Sequence, residues 1–168
     1  MAVVQHHKFV ASLPSTLEAN SIYYVRAGAG FDIYVTNSSG TLVAYPLNRP
    51  AGVVGASFDG GGAAVAVGSA CEVTLPYGMT LAAATVLGDV AGSIALDVQV
   101  VALASYPPTG ANSIVGSAPP GLVAASSSQD TTLSGWSRSL PAGSVVRFVV
   151  TSCSGIGRAT ITLEGVRT

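Results

Sequence analysis

The chain has 168 residues, 49% of them hydrophobic and 9% charged, with a mean hydropathy of +0.55 and a formal net charge of −1. Its six Arg and single Lys are scattered, so no basic stripe exists to neutralise nucleic-acid phosphates, and nucleic acid is not an expected partner. The richest apolar stretches, residues 79–88 and 94–104, fall short of the ~20 residues of a membrane helix and are rich in β-branched residues, which reads as strands, so no membrane insertion is expected.

The first nine residues carry two His and a Lys where a secretory signal needs a basic tip and an apolar core, so synthesis in the cytoplasm is expected. Strand signals then follow at residues 3–10, 22–27, 31–36 and 41–45. Leu13-Pro14-Ser15-Thr16 breaks the first run, Gly28-Ala29-Gly30 separates the second from the third, and Asn37-Ser38-Ser39-Gly40 reads as a hairpin turn. In the third strand Phe31, Ile33 and Val35 alternate with Asp32, Tyr34 and Thr36, giving one apolar and one mixed face. Asn48-Arg49-Pro50-Ala51-Gly52 ends the pattern and reads as a linker. These signals predict a small N-terminal β module, residues 1–50, for attachment or oligomerisation.

Residues 51–168 are predicted to form a jelly-roll-like antiparallel β-sandwich, so the fold class expected is all-β. After a Gly/Ala-rich lead-in containing Phe58-Asp59-Gly60-Gly61-Gly62, strands are expected at residues 71–75, 80–87, 94–103, 131–136, 145–152 and 158–166. Ile94, Leu96, Val98 and Val100 share one face, leaving Asp97 and Gln99 toward solvent or a neighbour. Residues 105–129, with Pro107, Pro108, Pro119 and Pro120, read as a long excursion pinned by Tyr106, Ile114 and Leu122, or else as a binding loop.

No chemical constellation emerges. Gly60-Gly61-Gly62 lacks the Lys and Ser/Thr of a phosphate-binding loop, and adjacent His6 and His7 on a strand point to opposite faces, so they cannot jointly hold one metal within a chain. With both His at the N-terminus, no base is available for a catalytic Ser or Cys in the main domain. Asp59, Asp89, Asp97 and Asp130 show no spacing that sets two carboxylates across a cleft, and Asp130 is placed to accept local backbone N–H groups. Cys71 and Cys153 read as two buried thiols or as a single bridge. Trp136 reads as a core anchor or as a stacking platform for a sugar ring. No enzymatic activity, cofactor or metal is expected.

Residues 13–17 (Leu-Pro-Ser-Thr-Leu), 20–26 (Asn-Ser-Ile-Tyr-Tyr-Val-Arg), 30–36 (Gly-Phe-Asp-Ile-Tyr-Val-Thr) and Gly40 resemble an N-terminal module of tailed-bacteriophage tail-fibre and head-decoration proteins. The second half is similar to a phage-fibre C-terminal β-sandwich through Phe58-Asp59-Gly60-Gly61-Gly62, Tyr106-Pro107-Pro108, Ser113-Ile114-Val115-Gly116-Ser117 and residues 130–136. The resemblance implies a non-enzymatic virion component, commonly a homotrimer, on the head or tail surface. The chain has no repetitive shaft, which favours a compact capsid decoration or cement protein, bound to the major capsid protein or another virion protein, over an elongated fibre.

On this reading Tyr23, Tyr24, Phe31 and Tyr34 form the interface, since so short a module supplies more aromatic surface than it can bury. The alternative is a tail-fibre or tail-tip receptor-binding module that recognises a host surface saccharide through Tyr106, Asp130 and Trp136.

Overall fold

The computed structural model describes residues 6–27, 30–44 and 50–168. Its regular structure is all-β apart from two single-turn 3₁₀ helices, Leu103–Ser105 and Gly110–Asn112. Among the described residues no helix is long and apolar enough to cross a membrane. The chain divides into two compact units, Met1–Pro50 and Ala51–Thr168.

In the first unit β1 (His6–Val10), β2 (Ser21–Ala27), β3 (Gly30–Thr36) and β4 (Leu42–Ala44) form one sheet in sequence order, β1 parallel to β2 and the others antiparallel. The β3–β4 turn is set by Asn37, whose Oδ1 accepts the N–H groups of Ser39 and Thr41, both at 2.9 Å. The more deeply buried face is the mixed one: Ser21, Tyr23, Asp32 and Thr36 are buried, while Ile22, Ile33 and Val35 are half-buried. Hydrogen bonds make that burial tolerable. Thr36 Oγ1 accepts the Ser21 N–H at 2.9 Å and donates to the Glu18 carbonyl at 2.6 Å, and the Tyr23 hydroxyl accepts the Glu18 N–H at 2.7 Å.

The second unit contains β5 (Ala51–Asp59), β6 (Ala70–Leu75), β7 (Met79–Ala102), β8 (Gly121–Asp130), β9 (Ser139–Leu140), β10 (Ser144–Ser154) and β11 (Arg158–Arg167). They pair antiparallel in the order β5-β11-β7-β10-β6, with β8 and β9 on the other edge of β7. Alternation puts Val54, Ala56 and Phe58 of β5, Ile161 and Leu163 of β11, and Val146, Phe148 and Val150 of β10 into a single core. Each such aliphatic or aromatic side chain contributes about 1.5–3 kcal/mol on burial, against the entropy of ordering it.

The 24 residues of β7 serve both layers of this nearly closed sandwich. Met79 to Gly88 pair with β11, and Ser93 to Ala102 pair with β10. The change of layer falls at residues 88–92, where β7 carries four residues between register positions that β8 spans with one. The fully buried Ile156, in the β10–β11 turn, fills the inside of this corner. A Cβ on Gly92 would lie 2.6 Å from Ile156 Cγ1 and 2.8 Å from the Ser154 carbonyl oxygen; one on Gly88 would lie 3.0 Å from Leu122 Cδ1.

Four sequence expectations change. Ala51–Asp59 is a strand and not a linker with a loose lead-in; Asn48 and Arg49 lie outside the described residues, as do residues 3–5 and 45 of the predicted strands. Residues 80–87 and 94–103 belong to one strand, which passes through a corner at residues 88–92 and does not break there. The strand expected at residues 131–136 is a turn built on Asp130, and the preceding Gly121–Asp130 is the strand instead. Finally, the excursion spans residues 103–120, held by Ile114 but not by Tyr106, which is 54% exposed.

Polar contacts fix that excursion. Asp97 accepts the Ser113 hydroxyl at 2.5 Å and the Gln99 amide at 2.8 Å, Ile114 N–H donates to the Val98 carbonyl, and Arg147 reaches the Pro108 carbonyl at 3.0 Å. Arg147 Nε also lies 3.2 Å from Glu72 Oε1, an ion-pair distance that is not aligned as a hydrogen bond.

Gly92→Ala should lower unfolding stability by about 1–3 kcal/mol in urea denaturation, since the corner has no room for a methyl group. Gly110→Ala, where a Cβ meets nothing within 4 Å, should stay within about 0.5 kcal/mol of the parent. Asp97→Ala, which strips the partners from Ser113 and the buried Gln99, should cost about 1–3 kcal/mol and speed limited proteolysis within residues 103–120.

Candidate functional site

Three charged side chains meet where β7 changes layer. Asp59 ends β5, Arg158 opens β11 as its register partner, and Asp89 projects from the corner. They line a depression of about 630 Å³ whose wall includes Gly61, Gly62, Gly155 and Gly157. An adjoining hollow of about 340 Å³ shares the same three residues and is floored by Phe58 and Leu87.

Each carboxylate has a local task. Asp59 Oδ1 accepts the Gly61 N–H at 2.7 Å, forming an Asx turn that leads into residues with φ of +64° and +94°, Gly61 and Gly62. Asp89 accepts the backbone N–H of Arg158 and that of Gly157, the latter at 3.1 Å, and so ties the β7 corner to the β10–β11 turn. The Arg158 N–H is the main cause that holds the Asp89 carboxyl below its ordinary value of 3.8, against a slight loss of solvent. Arg158 makes no ion pair among the described residues. Ser57 Oγ and Thr160 Oγ1, 3.0 Å apart, share a hydrogen bond with each other.

The depression therefore offers charge, hydrogen bonds and exposed backbone, without a nucleophile beside a base. Among the described residues no three His, Cys, Asp or Glu are grouped to hold a metal. The sequence named Asp59 and Asp89 as acids but not as neighbours, and did not single out Arg158. The available signal was Asp59-Gly60-Gly61-Gly62, whose turn chemistry curls β5 back toward the corner.

The residues expected at an interface divide between two faces of the first unit. Tyr23 is 1% exposed and Tyr34 half-buried on the inner face. Tyr24 and Phe31 lie on the other face, their rings edge to face with centroids 5.5 Å apart, and Phe31 is 45% exposed. Of the saccharide-site candidates, Trp136 is buried in the core with Nε1 donating to the Ala118 carbonyl at 2.9 Å.

Asp130 Oδ1 accepts the Thr132 hydroxyl, the Thr132 N–H and the Leu133 N–H; the Thr132 hydroxyl is the chief reason its carboxyl is held below the usual value. Tyr106 is exposed beyond the C-terminal end of β7, whereas Asp130 pairs with Ala84 in the first half of that strand. None of the three lines the corner depression.

The side chains of His6 and His7 lie outside the described residues. Cys71 and Cys153 are free, half-buried thiols packed on the core. Cys71 pairs with Phe148, five residues along β10 from Cys153, which separates the two by about 16 Å.

No family model matches the chain, and no curated protein matches it. Among solved structures, one chain of "Structure of infectious bursal disease virus Gx strain" aligns at 11% identity over 93% of this chain and 48% of that one, with a TM-score of 0.28. The chain thus spans about half the length of that protein, and a likeness this loose decides neither fold nor function.

Asp89 gives the corner a pH dependence with a defined sign. Because its carboxyl sits lower in the folded state than in the unfolded chain, its stabilisation is complete above the ordinary value of 3.8 and is lost as the pH falls from there through the lower folded-state value. The difference in urea midpoint between the parent and Asp89→Asn should therefore be largest at neutral pH and shrink as the pH is taken below 3.8. A difference that grows toward acid pH would contradict the assignment.

Proposed function

We propose that the chain is a non-enzymatic structural component of a virus particle, most simply a capsid decoration or cement protein of a tailed phage, bound to the particle surface as a homo-oligomer. One observation carries the reading: the less deeply buried face of the first unit's sheet is apolar. Ile22 pairs across the sheet with Val35, Tyr24 with Ile33, and Arg26 with Phe31, so that five apolar side chains and one Arg share a face. Phe31 is 45% exposed and Ile22, Tyr24, Ile33 and Val35 are all only half-buried. Patches of this composition mark contact surfaces.

The second unit supports the same reading. Val53, Leu87 and Val123 are exposed at 54%, 49% and 87%, on a chain with few charges to keep copies apart. Docking would work by burying apolar area at about 25 cal/mol per Å², repeated over a lattice so that modest contacts add through multivalency. The resemblance of residues 13–40 to phage head-decoration and tail-fibre modules agrees with this use of the face. The saccharide-binding alternative has less support, because the ring of Trp136 is spent on the core.

Purified protein should cosediment saturably with particles that lack it, at lattice stoichiometry. Phe31→Ser should weaken this binding by roughly tenfold or more, with an unchanged circular dichroism spectrum, because it removes the half-exposed ring from the contact. Binding to host cells without binding to particles would sink the decoration reading and favour an adhesin.

A further inference from the structure

The second unit has one long open edge. β5 and β6 approach each other across the seam of the sandwich, whereas β8 pairs with β7 on one side and, among the described residues, with no strand on the other. Such an edge offers unpaired backbone N–H and C=O groups to any strand that can reach it, and proteins usually guard it with Lys, Pro or a bulge. β8 contains no Lys, Arg or Pro, and its one charged residue, Asp130, is its last. Past Ala124, with φ +48°, residues 125–130 stay in strand conformation, in unbroken register with β7 from Ser127 to Asp130, and Ser126, Ser127, Ser128 and Gln129 are exposed.

The run is complementary to itself. Directly opposed residues of an antiparallel pair share a face, so a two-fold axis normal to the sheet can join two β8 edges only where opposed residues have the same parity. The faces are fixed by the ladder with β7. Ser128 lies opposite the buried Val86, while Ser127 lies opposite Leu87 and Gln129 opposite Thr85, to which its amide donates at 3.2 Å.

A register centred on Ser127 meets the rule. It opposes Ser127 with its own copy, Ser126 with Ser128, and Ala125 with Gln129. All of these are small or hydrogen-bonding pairs, with no like charges opposed. A charged peptide would find no counter-charge among residues 125–129. A second copy of this chain finds matched hydroxyls and continues the sheet.

We propose that β8 is a self-association edge, through which two copies join antiparallel across Ser127 into one continuous sheet. The contact stands apart from the particle assignment, since it rests on the edge of the second unit and not on the apolar face of the first.

Sedimentation velocity of the full chain, up to concentrations on the order of 100 µM, tests it. The parent should form a reversible dimer. Ser127→Lys should weaken association by roughly tenfold or more, because it opposes two like charges, and an equimolar mixture of Ser127→Lys and Ser127→Glu should restore it. Both variants change an exposed side chain, so their urea midpoints should match the parent's and report folding separately. Thr74→Lys, on exposed β6, should leave association unchanged. A parent that stays monomeric throughout overturns the proposal. So does association of any order that is indifferent to Ser127→Lys, or that Thr74→Lys abolishes.

Discussion

The second unit depends on the corner of β7. A single strand that pairs with β11 in its first half and β10 in its second must change layer without losing its ladder, and steric room is the condition for doing so. Gly88 and Gly92 supply the room, Ile156 fills it from the β10–β11 turn, and Asp89 fastens the outside by accepting the N–H groups of Gly157 and Arg158. Remove the space and Ile156 cannot seat. With residue 156 displaced, its backbone carbonyl would no longer meet the Val65 N–H, which it accepts at 2.9 Å to anchor the β5–β6 connection. One packing contact therefore sets the relation of three connections.

The corner also explains the charged depression. Tight turns at a layer change expose N–H groups that no ladder can reach, and a short carboxylate, with two acceptor oxygens, can take up more than one of them. Asp59 and Asp89 are placed by this need, and the glycines around them by the turns, so the hollow follows from the architecture before any ligand is considered. The opposite end is closed differently. Tyr77 donates to the Val53 carbonyl, the Arg167 guanidinium lies 3.9 Å over the Tyr77 ring, and the Thr168 N–H donates to the Gly78 carbonyl, fixing the C-terminus against the start of β7.

Alternation made much of this fold readable. β2, β3, β6, β10 and β11 announce themselves because one face of each packs while the other does not, and the Asn37 turn carries its own hydrogen-bond chemistry. The strands that stayed hidden lack contrast for physical reasons. β5 is rich in Gly and Ala because it lies close against β11: a Cβ on Gly55 would sit 2.4 Å from the Ile161 carbonyl oxygen. β8 is an edge with only Leu122 buried, so nothing imposes a period on Ser126 to Gln129. The corner was misread because Gly88-Asp89 has the composition of a turn, and only pairing on both sides shows the strand passing through. The Asp59–Asp89–Arg158 grouping is invisible at 30 and 69 residues of separation without that topology.

The two contacts proposed above, at the first-unit face and along the β8 edge, would be different kinds of adhesive surface, and the low charge of the chain gives them a common property. The face around Tyr24 and Phe31 works by removing apolar area from water, which is tolerant of a partner's sequence but sensitive to its shape. The β8 edge works through main-chain groups that accept only an extended strand in register. Neither uses ion pairs at its centre, so contacts formed there draw little on Coulomb attraction and are hardly screened by salt. A chain with 15 acidic and basic residues in 168 has few charges with which to steer an encounter or to reject a wrong one. Selectivity at either proposed contact would then have to come from geometry: the shape of one face, and the register of opposed residues along one strand.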